Sequence, residues 1–267
     1  MKATLVEDAA RLTKAGIAFS RFGPPVRPGM SFRRKFEAAK AALGAAPFEW
    51  YRYDSFPNLF YMQHLLKCAS QSLDEVIGNQ PILDIGAADG ALSFFFESIG
   101  YRVDAVDCSA SNINRMQGIH AIGRELRSAV QVLDLDLDTQ FRVAGQYGLA
   151  LFLGTLYHLK NPFYVLEALA GRAQYCFLST RIARLSPDGC LRWDQEPVAY
   201  LLEPGECNDD ETNYFIFSPC GLEVLVKRAG WVVRAAASAG SLKSDPVSRH
   251  GDERMFLLLQ SVRNTSA

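Results

Sequence analysis

The stretch Ile82-Leu83-Asp84-Ile85-Gly86-Ala87-Ala88-Asp89-Gly90 constrains the fold of this chain more than any other. An apolar-dominated run over 82–85 reads as a buried strand, and the glycines after it read as a tight turn leading into a helix. At Gly86 and Gly90 the backbone can approach a ligand closely, because no Cβ stands in the way. Seventeen residues after Gly90, a second apolar run over 101–106 ends in Asp107. A carboxylate there, at the end of the next strand, is placed to accept both hydroxyl hydrogens of a ribose.

The pattern around this pair predicts an α/β protein. Short apolar runs at 82–85, 103–106, 130–133, 149–153 and 175–179 are separated by helix-compatible stretches, which is the alternation of a Rossmann-like, doubly wound, mostly parallel sheet. A polar segment over 183–217, carrying Trp193, Tyr200, Tyr214 and Phe215, is too long for an ordinary connection and reads as a substrate-covering insertion. The pattern resumes with a helix near 219–229 and strands near 231–236 and 254–261. Before it, helices are expected over 1–22 and 31–44, separated by Gly23-Pro24-Pro25 and Pro28-Gly29. An aromatic cluster follows (Phe48, Trp50, Tyr51, Tyr53, Phe56), then a helix near 59–77. The cluster either packs the arm onto the core or lines a pocket. The division expected is a helical and aromatic N-terminal extension over 1–58 and a catalytic domain over 59–267.

Composition narrows the function classes. Residues 1–53 hold ten Lys/Arg against four Asp/Glu, a balance of +6 that leaves −7 for the remainder. Such an arm either meets an anionic partner or is the solvated face of an amphipathic helix. No apolar run is long enough to span a bilayer, and Glu7 and Asp8 stand where a signal peptide would be apolar, so a cytoplasmic protein with no membrane partner is expected. The six cysteines are widely spaced without a C-x-x-C, which argues against a zinc site and a disulfide framework.

A dinucleotide site would need G-x-G-x-x-G facing a pyrophosphate, whereas this turn carries Asp84 and Asp89 beside its glycines. Carboxylates there suit a cationic ligand. The run resembles the first motif of the class I S-adenosylmethionine-dependent methyltransferases, commonly of the form D-x-G-x-G-x-G, with Ala88 in place of the middle glycine. The resemblance implies a seven-stranded sheet. It also implies that the run Gly86, Ala87, Ala88, Asp89 and Gly90 wraps the methionine part of S-adenosyl-L-methionine, with Asp84 among the cofactor contacts, and that Asp107 holds the ribose. Cys108 stands next to Asp107 among the cofactor contacts, as a small residue and not a nucleophile. Of Asp134, Asp136 and Asp138 after the third strand, Asp136 is favoured for the adenine.

A second stretch, Leu153-Gly154-Thr155-Leu156-Tyr157-His158-Leu159-Lys160-Asn161-Pro162, brings Tyr157 and His158 out at the carboxyl end of a buried strand, where open α/β sheets bind ligands. It resembles the fourth-strand motif G-x-L-Y-H-x-x-x-P of a subgroup that includes transfer-RNA wobble-uridine carboxymethyltransferases and relatives acting in saccharide and secondary-metabolite pathways. Asn213 to Pro219, Gly230-Trp231 and Arg254 fit the same subgroup. His158 is the candidate general base, with Tyr157 beside it. The alternative for His158 is a helix cap or a backbone contact.

Gly154 is counted with the cofactor contacts, and Arg254, Trp50 and Tyr214 with the substrate. Tyr157 and Arg254 match two positions expected of a pocket for carboxy-S-adenosyl-L-methionine, and Lys35 and Arg52 are loose candidates for a third. The leading expectation is methyl transfer to an oxygen, less readily a nitrogen, of a small molecule or saccharide. Modification of transfer RNA and a non-catalytic cofactor-binding scaffold are the alternatives.

Overall fold

The structure is a computed structural model and describes residues 26–248 and 252–264. The helix expected over 1–22 lies outside the described residues. Helix α1, Val26–Ala42, begins earlier than the Pro28-Gly29 pair suggests. Proline is tolerated in a first turn because its missing N–H would have no partner inside the helix. Gly29 lets α1 press on the next helix, since a Cβ there would lie 2.3 Å from Leu59 Cδ1. Phe32, Phe36 and Ala39 share the buried face of α1.

The single helix expected near 59–77 is two, α2 (Asn58–Cys68) and α3 (Leu73–Ile77). Ser70 turns left-handed at φ 54° between them. Ser72 then restarts the helix with a capping box, accepting from Glu75 N while the Glu75 carboxylate accepts from Ser72 N.

From there the chain winds as expected. It runs through β1 (Ile82–Ile85), α4 (Ala91–Ser98), β2 (Val103–Asp107), α5 (Gln117–Leu126), β3 (Gln131–Asp134), β4 (Tyr147–Leu153), α6 (Pro162–Ala170) and β5 (Ala173–Ile182). After the insertion come α7 (Pro219–Arg228), β8 (Trp231–Gly240) and β9 (Glu253–Ser261). Strands β3, β2, β1, β4 and β5 lie side by side in parallel. Strand β9 enters antiparallel beside β5, and β8 pairs antiparallel with β9. The insertion adds two short antiparallel strands, β6 (Ala199–Leu201) and β7 (Phe215–Phe217), with β7 joined to the end of β5 at Ile182. Among the described residues the sheet therefore has nine strands, seven of them in the order β3-β2-β1-β4-β5-β9-β8.

Strand alternation divides the core in two. Ile82, Leu149 and Leu151 face one side, with α1, α2 and α4; Leu83, Ile85, Ala150 and Phe152 face the other, with α6, α7 and Trp231. Both faces being covered is why these strands read as continuous apolar runs rather than alternating ones. The carboxyl ends of β1, β2 and β4 then open on one edge, and the site is built there.

Candidate active site

The turn after β1 is held by its own neighbours. Gly86, Ala88 and Gly90 have φ of 71°, 53° and 83°. A Cβ on Gly86 would lie 2.1 Å from Thr155 Oγ1, and one on Gly90 would lie 2.5 Å from the Phe94 ring. Protein packing alone thus requires both glycines. Ala88 stays left-handed because its N–H donates to Asp107 Oδ2 at 2.7 Å, while Cys108 N donates to Asp107 Oδ1 at 2.8 Å. The carboxylate keeps a free lone pair on each oxygen. Burial raises the Asp107 pKa, and these two N–H groups, with the Asn112 side chain, oppose the rise. Beside it, the buried Asn112 amide leans toward this carboxylate, though its Nδ2 reaches no partner at full hydrogen-bond geometry. A carboxylate with spare acceptor capacity next to an incompletely satisfied amide donor fits a vicinal diol such as a ribose.

The two other carboxylates of the turn have partners within the protein. Asp84 is buried and accepts from Ser93 Oγ at 2.6 Å; burial lifts its pKa to about 6, with Asp107 adding to the rise. Asp89 is buried and accepts from Lys40 Nζ at 3.0 Å, Tyr51 N at 2.8 Å and Asn114 Nδ2 at 2.8 Å. The expectation from sequence that both charges face a cationic ligand is corrected for Asp89, whose charge is met by Lys40. Asp89 fastens the N-terminal arm, and Asp84 is a buried acid at the foot of the turn.

That fastening lays the arm along the site. Tyr51 Oη accepts from Ile113 N at 3.3 Å, and burial, followed by Asp107 and Asp89, pushes its pKa up to about 12. Trp50 packs edge-on against Phe48 at 4.7 Å and under Lys40 Nζ at 5.1 Å, which places it in the arm's own packing. Of the loose cation candidates, Arg52 pairs with Glu49 on the surface. Asp134 stands in register with Asp107 and its pKa is lowered by hydrogen bonds from Ser109. Asp136 instead accepts from Asp138 N at 3.0 Å and Thr139 Oγ1 at 3.1 Å within its own exposed turn, so Asp134 is the third-strand carboxylate in register with Asp107.

Past Gly154, a short 3-10 helix, Leu156–His158, presents Tyr157 and His158. Arg254 Nη2 donates to Tyr157 Oη at 3.2 Å, and a Cβ on Gly154 would lie 3.5 Å from Arg254 Nη1. The nearest carboxylate, Asp252, lies 3.8 Å from Arg254 Nε; Glu253 is instead held by Arg184 through two bonds of 2.8 Å. His158 Nδ1 lies 2.9 Å from Thr212 Oγ1, and burial lowers its pKa. Tyr214 N donates to Tyr157 O at 2.8 Å, closing the insertion onto this helix.

The structure thus gathers Gly86, Ala88, Asp107 and Cys108 at one part of the sheet edge and Gly154, Tyr157, His158 and Arg254 at another, linked by Thr155 against Gly86. Sequence reasoning named Tyr51 only within the aromatic cluster, and missed Lys40, Asn112, Thr155 and Thr212. Lys40 follows Phe36 by four residues on α1, the one pattern that could have marked it.

No family model matches the sequence, and no curated protein matches it. Solved structures match in fold. The N-terminal domain of EvdMO1 with SAH bound gives a TM-score of 0.52 at 16% identity, over 86% of this chain and 96% of that one. An S-adenosylmethionine-dependent methyltransferase from Clostridium acetobutylicum ATCC 824 gives 0.50 at 10% identity, over 74% and 89%. The [4+2]-cyclase SpnF gives 0.51 at 11% identity, over 89% and 93%. The chain has the Rossmann-like fold of S-adenosylmethionine-dependent methyltransferases. A cyclase on the same fold means that the reaction must be argued from the site.

Proposed function

We propose that this protein is an S-adenosylmethionine-dependent methyltransferase acting on a hydroxyl oxygen of a small molecule or saccharide. One observation carries the reading: a buried carboxylate with spare acceptor capacity, Asp107, and an imidazole, His158, stand on the same carboxyl edge of the sheet. Gly86, Ala88, Asp107, Cys108 and Asn112 would hold the cofactor, with the Tyr51 hydroxyl covering the ribose side. Bound there, S-adenosylmethionine would supply an electrophilic methyl carbon, its sulfonium S–CH3 bond breaking as the acceptor oxygen bonds that carbon. The acceptor oxygen forms the new bond as its proton passes to His158. His158 is neutral near pH 7 because burial disfavours its cation, so it is ready to take that proton.

Arg254 and Tyr157 supply a cation and a hydroxyl for a carboxylate, carried either by the acceptor or by the cofactor in its carboxylated form. A mass spectrum of the ligand retained through purification separates the two cofactors. The small-molecule reading is favoured over transfer RNA because the arm's charge is partly used internally. Arg33 pairs with Asp54 at 2.9 Å and Lys40 with Asp89 at 3.0 Å.

Calorimetry with S-adenosylmethionine tests the premise; no heat and an unshifted Tm would end it. Asp107→Ala should weaken that binding by more than about 1 kcal/mol through loss of charge-assisted hydrogen bonds. His158→Ala should cost roughly 100-fold in turnover without changing cofactor affinity. Steep salt-dependent binding of transfer RNA would replace the small-molecule acceptor with a nucleic acid.

A further inference from the structure

The surroundings of His158 determine which of its nitrogens carries the proton. Nδ1 faces two oxygens of Thr212, the hydroxyl at 2.9 Å and the backbone carbonyl at 3.2 Å. A carbonyl oxygen only accepts. The hydroxyl has one hydrogen, and Thr212 Oγ1 lies 2.6 Å from Asp210 Oδ1, a carboxylate oxygen that also only accepts. That hydrogen is committed to Asp210, so the hydroxyl turns a lone pair toward the imidazole. The same Asp210 oxygen accepts from Thr212 N at 2.8 Å, which stiffens the turn. With two acceptors around it, Nδ1 must be the nitrogen bearing hydrogen. Nε2 is left with its lone pair, as a base requires.

We infer that Thr212 and Asp210 are positioning residues that fix His158 in its Nδ1–H form with Nε2 free to accept the proton of the acceptor hydroxyl. This rests on His158 being the base. It gives the 183–217 segment a second role. Besides covering the site it orients the imidazole, through residues more than fifty positions away in sequence. It also supplies a charge for the protonated ring. As Nε2 takes a proton, the hydrogen-bonded path from Nδ1 through Thr212 Oγ1 to Asp210 faces the new cation with an anion.

Charged groups reach His158 from two elements. Asp210 of the insertion favours the cation and Arg254 of β9 opposes it. The Tyr157 ring packs beside the imidazole at 4.3 Å between centroids. Burial also opposes the cation and dominates. Removing Asp210 therefore lowers the pKa of His158 further, and removing Arg254 raises it.

The test needs no acceptor. In full-length protein labelled with 15N-histidine, NMR reads the two ring nitrogens of His158 directly and follows them through a pH titration; His158→Ala assigns the signals. We expect Nδ1–H in the wild type. Thr212→Val should give a mixture containing Nε2–H, and Thr212→Ser should restore the wild-type spectrum and show that the fold is intact. Asp210→Asn should move the His158 pKa down by at least about half a unit, and Arg254→Gln should move it up. A wild-type imidazole protonated at Nε2, or Thr212→Val and Asp210→Asn titrating as the wild type does, would overturn the inference. Failure of the base assignment gives a separate result: the tautomer is as inferred, yet His158→Ala methylates at the wild-type rate.

Discussion

Asp84 is buried within β1, and its environment sets a sign and a size for one substitution. Its folded pKa of about 6 stands above the ordinary 3.8, chiefly because burial penalises the ionised form. A raised carboxyl pKa means that the folded state binds the proton more tightly than the unfolded state. This favourable contribution is complete below about pH 4 and is lost as the pH climbs through 6. Above that, the ionised carboxylate costs the fold about 3 kcal/mol, since a tenfold difference in proton affinity between the two states is worth about 1.4 kcal/mol. At pH 4.5 the same linkage leaves a cost of only about 1 kcal/mol, because the folded group is then still largely protonated.

Asp84→Asn keeps an oxygen to accept from Ser93 and removes the ionisation. The variant should therefore gain about 2 kcal/mol on the wild type between pH 4.5 and pH 8. Urea denaturation of both proteins at the two pH values, without ligand, measures this directly. A stability difference that does not change with pH would refute the assignment of the buried charge to Asp84. The same variant at pH 8 also probes the ligand. If a cationic cofactor relies on this carboxylate, its affinity falls while the stability of the free protein rises.

Two other perturbations follow from single contacts. Lys40→Ala leaves the buried Asp89 carboxylate with Tyr51 N and Asn114 Nδ2 but no cation, and should destabilise the fold by roughly 1–3 kcal/mol in urea denaturation. It should also loosen the arm, seen as faster backbone hydrogen exchange over residues 49–53, and unchanged exchange there would mean that the arm is held by Phe32, Phe36 and Phe56 alone. Gly148→Ala should destabilise by at least about 3 kcal/mol in a denaturant titration, because its Cβ would lie 1.8 Å from Ile77 O, a backbone atom, on a strand paired on both sides. Near-normal stability would show that α3 can withdraw from β4.

The fold was legible in the sequence because its signals are local. Four-residue apolar runs, glycine turns and the carboxylate after the second strand depend only on neighbours along the chain, and a sheet covered on both faces makes each central strand apolar throughout. The Gly86 to Gly90 turn, Asp107, and Tyr157 with His158 were all visible for that reason. The helix starting at Val26 was not, because what favours it is the close packing of Gly29 on Leu59, a contact between helices.

Nor could the sequence say what each carboxylate faces. Asp84 and Asp89 stand five residues apart in one motif, yet one meets a serine hydroxyl and the other a lysine from α1. Likewise, nothing local to His158 marks Thr212 or Asp210 as its neighbours. The chain alone determined the sheet, the turn and the presence of an imidazole at its edge. Which charges are spent inside the protein, and which nitrogen of His158 remains free, only the tertiary structure decided, because hydrogen-bond partners are chosen by distance in space and not by distance along the chain.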